Sequence, residues 1–240
     1  MPAALANDDV HGTFPPTRWT LVLRARERPE LRREALGALL GPRWNALYVL
    51  GRKKGLGREQ AEDAVQSFFE RLLDGDVLER LEPSRGRLRA YLRTAFQRHL
   101  INLHASEAAH KRGGGRRALD LEAMEEFLAS SDDDPERLFD RAFAISLFES
   151  ALLDLKAEFG SGERAGPFAV LEALFRFGEA APYAELSVEH GMSVPQLKAF
   201  VHRAKRRLRE LLRRRVAETV DAPEEVDAEL FAVLGCLGAR

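Results

Sequence analysis

The residues best suited to chemistry in this chain are cations at helical spacing. Between positions 198 and 215 stand Lys198, Arg203, Lys205, Arg206, Arg207, Arg209, Arg213, Arg214 and Arg215, against the single acid Glu210. Leu197, Val201, Leu208, Leu211 and Leu212 run through them at the spacing of one apolar helix face. A helix with one apolar face and a dense cationic remainder is suited to polyanions, because each Lys or Arg set against a phosphate releases counterions. The residues just before it are those of a tight turn. Gly191 stands where a short helix over 182–190 must stop, and glycine takes positive φ at low cost. Ser193 is placed to cap the next helix, and Pro195 falls in its first turn, where a missing N–H costs nothing. Helix, tight turn and cationic helix form the layout of a helix-turn-helix.

Other chemistry finds little support. Glu59, Glu62, Asp63 and Glu70 gather on one stretch, but no histidine stands near them and the Glu-x-x-His pattern of a carboxylate-bridged metal site is missing. His99, His104 and His110 are five and six apart, which does not put two ligands on one helix face. Gly113-Gly114-Gly115 lacks the Lys-Ser/Thr ending of a phosphate-binding loop. One cysteine, Cys236, excludes an intramolecular disulfide and a cysteine-based zinc site. Neither catalysis nor a cofactor nor a metal is expected. A reducing, cytoplasmic setting fits, no membrane contact is expected, and the polar, acidic start of the chain does not resemble a secretory signal.

The elements that must position these cations read as all-α. Strand signals are nearly absent, and Leu, Ala, Arg and Glu recur at three-to-four spacing. Helices are expected over 16–25, 29–40, 42–53, 58–74, 77–81, 87–109, 136–159, 168–177, 182–190, 194–215 and 223–237. In the fourth, Ala61, Ala64, Val65, Phe68, Phe69, Leu72 and Leu73 face inward; in the helix over 87–109, Leu88, Tyr91, Leu92, Ala95, Phe96, Leu100 and Leu103 do. Three consecutive glycines at 113–115 break the chain, and Ser130-Ser131-Asp132-Asp133-Asp134-Pro135 breaks it again.

A net charge of −1 hides strong blocks. Residues 81–117 carry nine basic and two acidic side chains, and residues 118–140 carry one basic and nine acidic. Two cationic patches with an acidic stretch between them point to two contacts with a polyanion. The stretch after 216 is again acidic, and Glu224, Glu225, Asp227 and Glu229 there suit a helix that covers the basic helix over 194–215.

The ordered set of motifs resembles a known family. Gly57-Arg58-Glu59-Gln60-Ala61-Glu62-Asp63-Ala64-Val65-Gln66-Ser67-Phe68-Phe69-Glu70-Arg71-Leu72-Leu73 resembles region 2.2 of bacterial RNA polymerase sigma factors. Arg87-Leu88-Arg89-Ala90-Tyr91-Leu92-Arg93-Thr94-Ala95 resembles region 2.3, the helix on to His104 resembles region 2.4, and Val201-His202-Arg203-Ala204-Lys205-Arg206-Arg207-Leu208-Arg209 resembles the region 4 recognition helix. Phe14-Pro15-Pro16-Thr17-Arg18-Trp19, the basic glycine loop at 111–117 and Glu218-Thr219-Val220 resemble a subgroup of the extracytoplasmic-function class common in planctomycetes and myxobacteria.

The resemblance implies a tail over 1–13, a region 2-like domain over 14–115, an acidic linker over 116–136, a region 4-like helix-turn-helix domain over 137–217 and a C-terminal amphipathic helix over 218–240. It implies two small helical domains that bind core RNA polymerase, through the β′ clamp helices and the β flap, and open promoter DNA. Asp63, Gln66 and Glu70 would face polymerase. Arg85, Arg87, Arg89, Arg93, Arg98, Asn102, Lys111 and Arg112 would serve the −10 element, with Tyr91 in the core. At the −35 element Gln196, Lys198, Ala199 and His202 would reach base edges, while Arg203, Arg206 and Arg207 would hold phosphates. A regulatory protein such as an anti-sigma factor is a further implied partner. Phe96-Gln97-Arg98 stands where many members carry Ala-Arg-Asn, which alters the expected −10 preference. The competing reading is a stand-alone helix-turn-helix regulator, which leaves the ordered match at 57–117 without a role.

Overall fold

A computed structural model describes residues 40–74, 87–107, 134–159, 182–220 and 222–238, with Gly37, Glu125, Leu128 and Leu171 placed singly in helix. The described residues form seven α-helices and no strand: α1 (Trp44–Lys53), α2 (Arg58–Asp74), α3 (Leu88–Glu107), α4 (Pro135–Phe159), α5 (Tyr183–Glu189), α6 (Val194–Ala217) and α7 (Val226–Gly238). Short 3-10 turns, Gly41–Arg43 and Pro223–Glu225, lead into α1 and α7. The all-α expectation holds. The helices expected over 16–25 and 77–81 lie outside the described residues, as do those over 29–40 and 168–177 apart from Gly37, Leu40 and Leu171.

Helix α4 organises the packing. Leu138, Phe139, Ala142, Phe143, Ala144, Leu147, Ala151 and Leu155 are buried, together with Ser146 and Ser150. These positions cover most of the helix circumference, and a helix apolar on nearly all sides must be enclosed. The two serines avoid an orphaned hydroxyl by donating back along the helix, Ser146 to the Phe143 carbonyl at 2.8 Å and Ser150 to the Ser146 carbonyl at 2.7 Å. Helices α1, α3, α6 and α7 all pack on α4. One apolar core therefore runs from Leu47, Leu50 and Phe68 through Phe143 to Leu208 and Val233.

Helices α2 and α3 meet over Phe68 and Phe96, whose ring centroids are 5.2 Å apart, edge to face. His99 completes this contact. It is 4 % exposed, its Nε2 lies 2.9 Å from Ser67 Oγ, and its Nδ1 lies 3.4 Å from an Arg71 nitrogen. Burial, and secondarily the Arg71 charge, push its pKa down from 6.5 to about 4. Glu125, which precedes α4, is also tied in. Glu125 receives Arg52 through two hydrogen bonds, at 2.9 and 2.7 Å, and accepts the Tyr48 hydroxyl at 2.5 Å. Burial and Glu125 raise the Tyr48 phenol to about 12, while Arg52 holds the Glu125 carboxyl below its usual range. Leu128 is buried one turn further on.

The buried neutral His99 makes stability depend on pH. Its folded-state pKa is depressed, so between 6.5 and about 4 the unfolded chain binds the extra proton. Urea midpoints are expected to fall as pH drops through that window. In His99→Gln that fall should shrink relative to the parent, and midpoints compared at both ends of the window check it.

Candidate nucleic-acid interface

The helix-turn-helix is built as its residues dictate. Helix α5 ends at Glu189, and the chain reverses at Gly191, whose φ of 61° lies in the left-handed region that glycine occupies without a Cβ clash. The Met192 amide donates to the Ser187 carbonyl at 3.1 Å and the Ser187 hydroxyl donates to the Met192 carbonyl, which closes the turn. Ser193 caps α6 in a full capping box. Its Oγ accepts the Gln196 amide at 3.4 Å, and the Gln196 side-chain oxygen accepts the Ser193 amide at 3.0 Å. Pro195 sits in the first turn, as expected.

Leu197, Phe200, Val201, Ala204, Leu208, Leu211, Leu212 and Val216 are the buried side of α6. The expected −35 residues divide between two rows of the rest. Lys198, Ala199, His202 and Arg206 are exposed on the outward row. Gln196, Arg203 and Arg207 lie on a row turned toward the C-terminal end of α4. There Arg207 is held between Glu158 at 2.7 Å and Glu210 at 2.8 Å, and Gln196 serves the cap. Arg207 holds the Glu158 carboxyl below its usual range. Arg215 and Arg214 meet Asp154 at 2.6 and 3.5 Å. Lys198 sits over the Tyr183 ring of α5, 5.9 Å from its centroid.

Two cations missing from the expected set, Lys205 and Arg209, are exposed beside His202 and Arg206. Like Lys198, His202 and Arg206, they make no ion pair among the described residues. Spacing alone marks them, since Lys205 and Arg209 follow Lys198 by seven and eleven positions and so return to the same side of a 3.6-residue helix. The result is an open cationic ridge two to three turns long on a rigidly capped helix.

The α3 candidates differ. Arg87 and Arg89 both meet the wholly buried Glu229 of α7 at 2.9 Å, and Arg89 also meets Asp140 of α4 at 2.9 Å. Arg93 lies 3.3 Å from Asp140 and 3.6 Å from Glu136, and Gln97 donates to Glu136 at 3.3 Å. Burial opposes the Arg89 charge, but Glu229 and Asp140 outweigh it and raise its pKa; Asp140 is raised by burial despite Arg89 and Arg93. Arg98 and Asn102 are exposed next to the exposed Ile101. Tyr91 is half-buried, packed against the core. Arg85, Lys111 and Arg112 lie outside the described residues.

On α2, Asp63, Gln66 and Glu70 are exposed together with Glu59 at helical spacing, and Gln66 donates to Glu70 at 3.1 Å. This is a continuous acidic face. Among the described residues no group of three or more His, Cys, Asp or Glu could hold a metal ion, and no helix is long and apolar enough to cross a membrane. Compared with protein-family models, with curated proteins and with solved structures, the chain finds no match.

The capping box makes Ser193 a sensitive position. Ser193→Ala is expected to lower stability by about 1 kcal/mol, the usual worth of such a cap. Chemical denaturation of the full chain measures it.

Proposed function

We propose that the chain is a sigma factor of the extracytoplasmic-function class, which joins core RNA polymerase and directs it to promoter DNA. The observation that carries this is the open cationic ridge of α6, following a Gly191 turn and a Ser193 cap. Its exposed positions His202, Lys205, Arg206 and Arg209 fall in the stretch that resembles a region 4 recognition helix. The acidic face of α2, with Asp63, Gln66 and Glu70, is available for polymerase in the stretch that resembles region 2.2. Regions 14–115 and 137–217 are then the two DNA-facing parts, and 116–136 joins them.

Mechanistically, α6 enters the major groove with its N-terminal end toward the bases. Lys198 is the base reader best placed to discriminate, since its ammonium starts from a defined position over Tyr183. A good base contact contributes about 1–3 kcal/mol of discrimination. Arg206, Lys205 and Arg209 supply phosphate contacts that position without specifying. Arg207, already bound to two carboxylates, contributes less to DNA than its neighbour Arg206.

A second reading, a stand-alone helix-turn-helix regulator, is favoured by one observation. The α6 ridge is open, whereas Arg87, Arg89 and Arg93 of α3 are engaged within the chain.

Run-off transcription with purified bacterial core polymerase and a pool of promoter fragments separates the two. Discrete transcripts that depend on the chain are expected. DNA binding without core binding would favour the regulator. Arg206→Ala is expected to weaken all promoters alike and to lower the salt slope of DNA binding by about 0.9. Lys198→Ala should instead reorder promoter preference, and equal losses across a promoter panel would refute this division of roles.

A further inference from the structure

Helix α7 belongs neither to the α6 ridge nor to the acidic face of α2. Its acidic residues suited a cover for α6, and Asp227 does meet Arg213 there at 2.9 Å. The fully buried acid of α7, however, is Glu229, at 0 % exposure, and it faces α3. Arg89 reaches both of its oxygens, through Nε at 2.9 Å and Nη2 at 3.2 Å, and Arg87 Nη1 lies 2.9 Å from Oε2. A buried carboxylate persists only when it is paired and hydrogen-bonded. Guanidinium groups converging on two oxygens are also how arginine holds a phosphate.

The chain before α7 is fixed to the same place. The first amide of α3, on Leu88, donates to the Thr219 carbonyl at 2.9 Å, and Thr219 and Val220 are buried. Beyond them Ala222, Pro223, Glu224 and Glu225 are partly or fully exposed. Helix α7 is also held by α4 and α6, with Leu230, Cys236 and Leu237 partly buried against the core. Val226 and Val233 are wholly buried, but Phe231 is 81 % and Leu234 44 % exposed.

We propose that α7 is an internal strap whose Glu229 carboxylate occupies an anion site formed by Arg87 and Arg89, and that nucleic-acid phosphate takes this site only when α7 lifts from α3. The proposal rests on the nucleic-acid reading above. Because Glu229 is enclosed, a phosphate reaches both guanidinium groups only by displacing it. The strap lowers the apparent affinity of α3 for nucleic acid by the fraction of molecules in which it is open. Among the described residues the ion pair between α7 and α6 is at Arg213, one turn beyond the ridge, so the ridge stays open while α3 is strapped.

The test uses the full chain as the parent, Glu229→Gln, Glu229→Asp and, as a control with the same charge change at an exposed site, Glu224→Gln. Hydrogen exchange is followed in peptides from α7 and the start of α3. Binding of an end-labelled single-stranded oligonucleotide is followed by fluorescence anisotropy. Glu229→Gln is expected to exchange faster in α7 and to bind about tenfold tighter, the size of effect that a mostly closed equilibrium produces. The gain should vanish when Arg87→Ala and Arg89→Ala are added, and Glu224→Gln should behave like the parent. If Glu229→Gln loses its helical signal, Glu229→Asp, which keeps the charge on a shorter stem, should show a smaller change in the same direction. Equal binding by Glu229→Gln and Glu224→Gln, or a gain that survives loss of both arginines, overturns the strap. If Arg206→Ala still weakens duplex binding in that case, the nucleic-acid reading stands without it. If no protein binds DNA while α7 exchange still rises in Glu229→Gln, the nucleic-acid reading has failed, and phosphate as the competitor fails with it.

Discussion

The described helices are arranged around α4, which buries ten of its side chains against its neighbours. Helix α4 is buried over most of its circumference, and the carboxylates that pair with α3 and α6 stand toward its two ends. Glu136 and Asp140 stand at one end against Arg93 and Arg89, and Asp154 and Glu158 stand at the other against Arg215 and Arg207. Asp140 and Asp154 lie about 21 Å apart along the axis, at the 1.5 Å rise per residue of an α-helix. Exposed ion pairs contribute little to stability and partly buried ones must first offset desolvation. The apolar core therefore holds the fold, and the pairs decide which end of α4 meets α3 and which meets α6.

That arrangement treats two chemically similar sets of arginines in opposite ways. On α6 the apolar side satisfies the core alone, and most of the cations stay outward. On α3 Arg89 and Arg93 share the inward half of the helix with Leu92 and Phe96, so they meet carboxylates rather than water. Among the described residues, α6 thus presents a concentrated positive surface while the leading arginines of α3 are neutralised internally.

Local periodicity was enough for much of the fold. Leu88, Leu92, Phe96 and Leu100 on α3, and Leu197, Val201, Leu208, Leu211 and Leu212 on α6, are buried as their spacing requires. Gly191 and Ser193 do what their residue types favour. What periodicity leaves open is which neighbour a face meets. Arg89 and Glu229 are 140 positions apart, and no helical pattern relates them. A weaker signal was present, because Glu229 falls three after Val226 and four before Val233 and so interrupts an apolar row. Leu234 stands at helical spacing from Leu230 and Leu237 yet is exposed, because the buried row of α7 is Val226, Glu229 and Val233. His99 was not distinguished from the other histidines, since its burial depends on Phe68 and Ser67 of another helix.

The long separation between α3 and α7 has a consequence for how the protein is made. A ribosome adds about 5–20 residues per second, so Glu229 follows Arg89, 140 positions earlier, by roughly 7 to 28 seconds. Asp140 emerges well before it. During that interval the nascent α3 holds one carboxylate where the finished fold supplies two. Its leading arginines therefore spend their first seconds beside the anionic RNA of the ribosome without the partner that later encloses them.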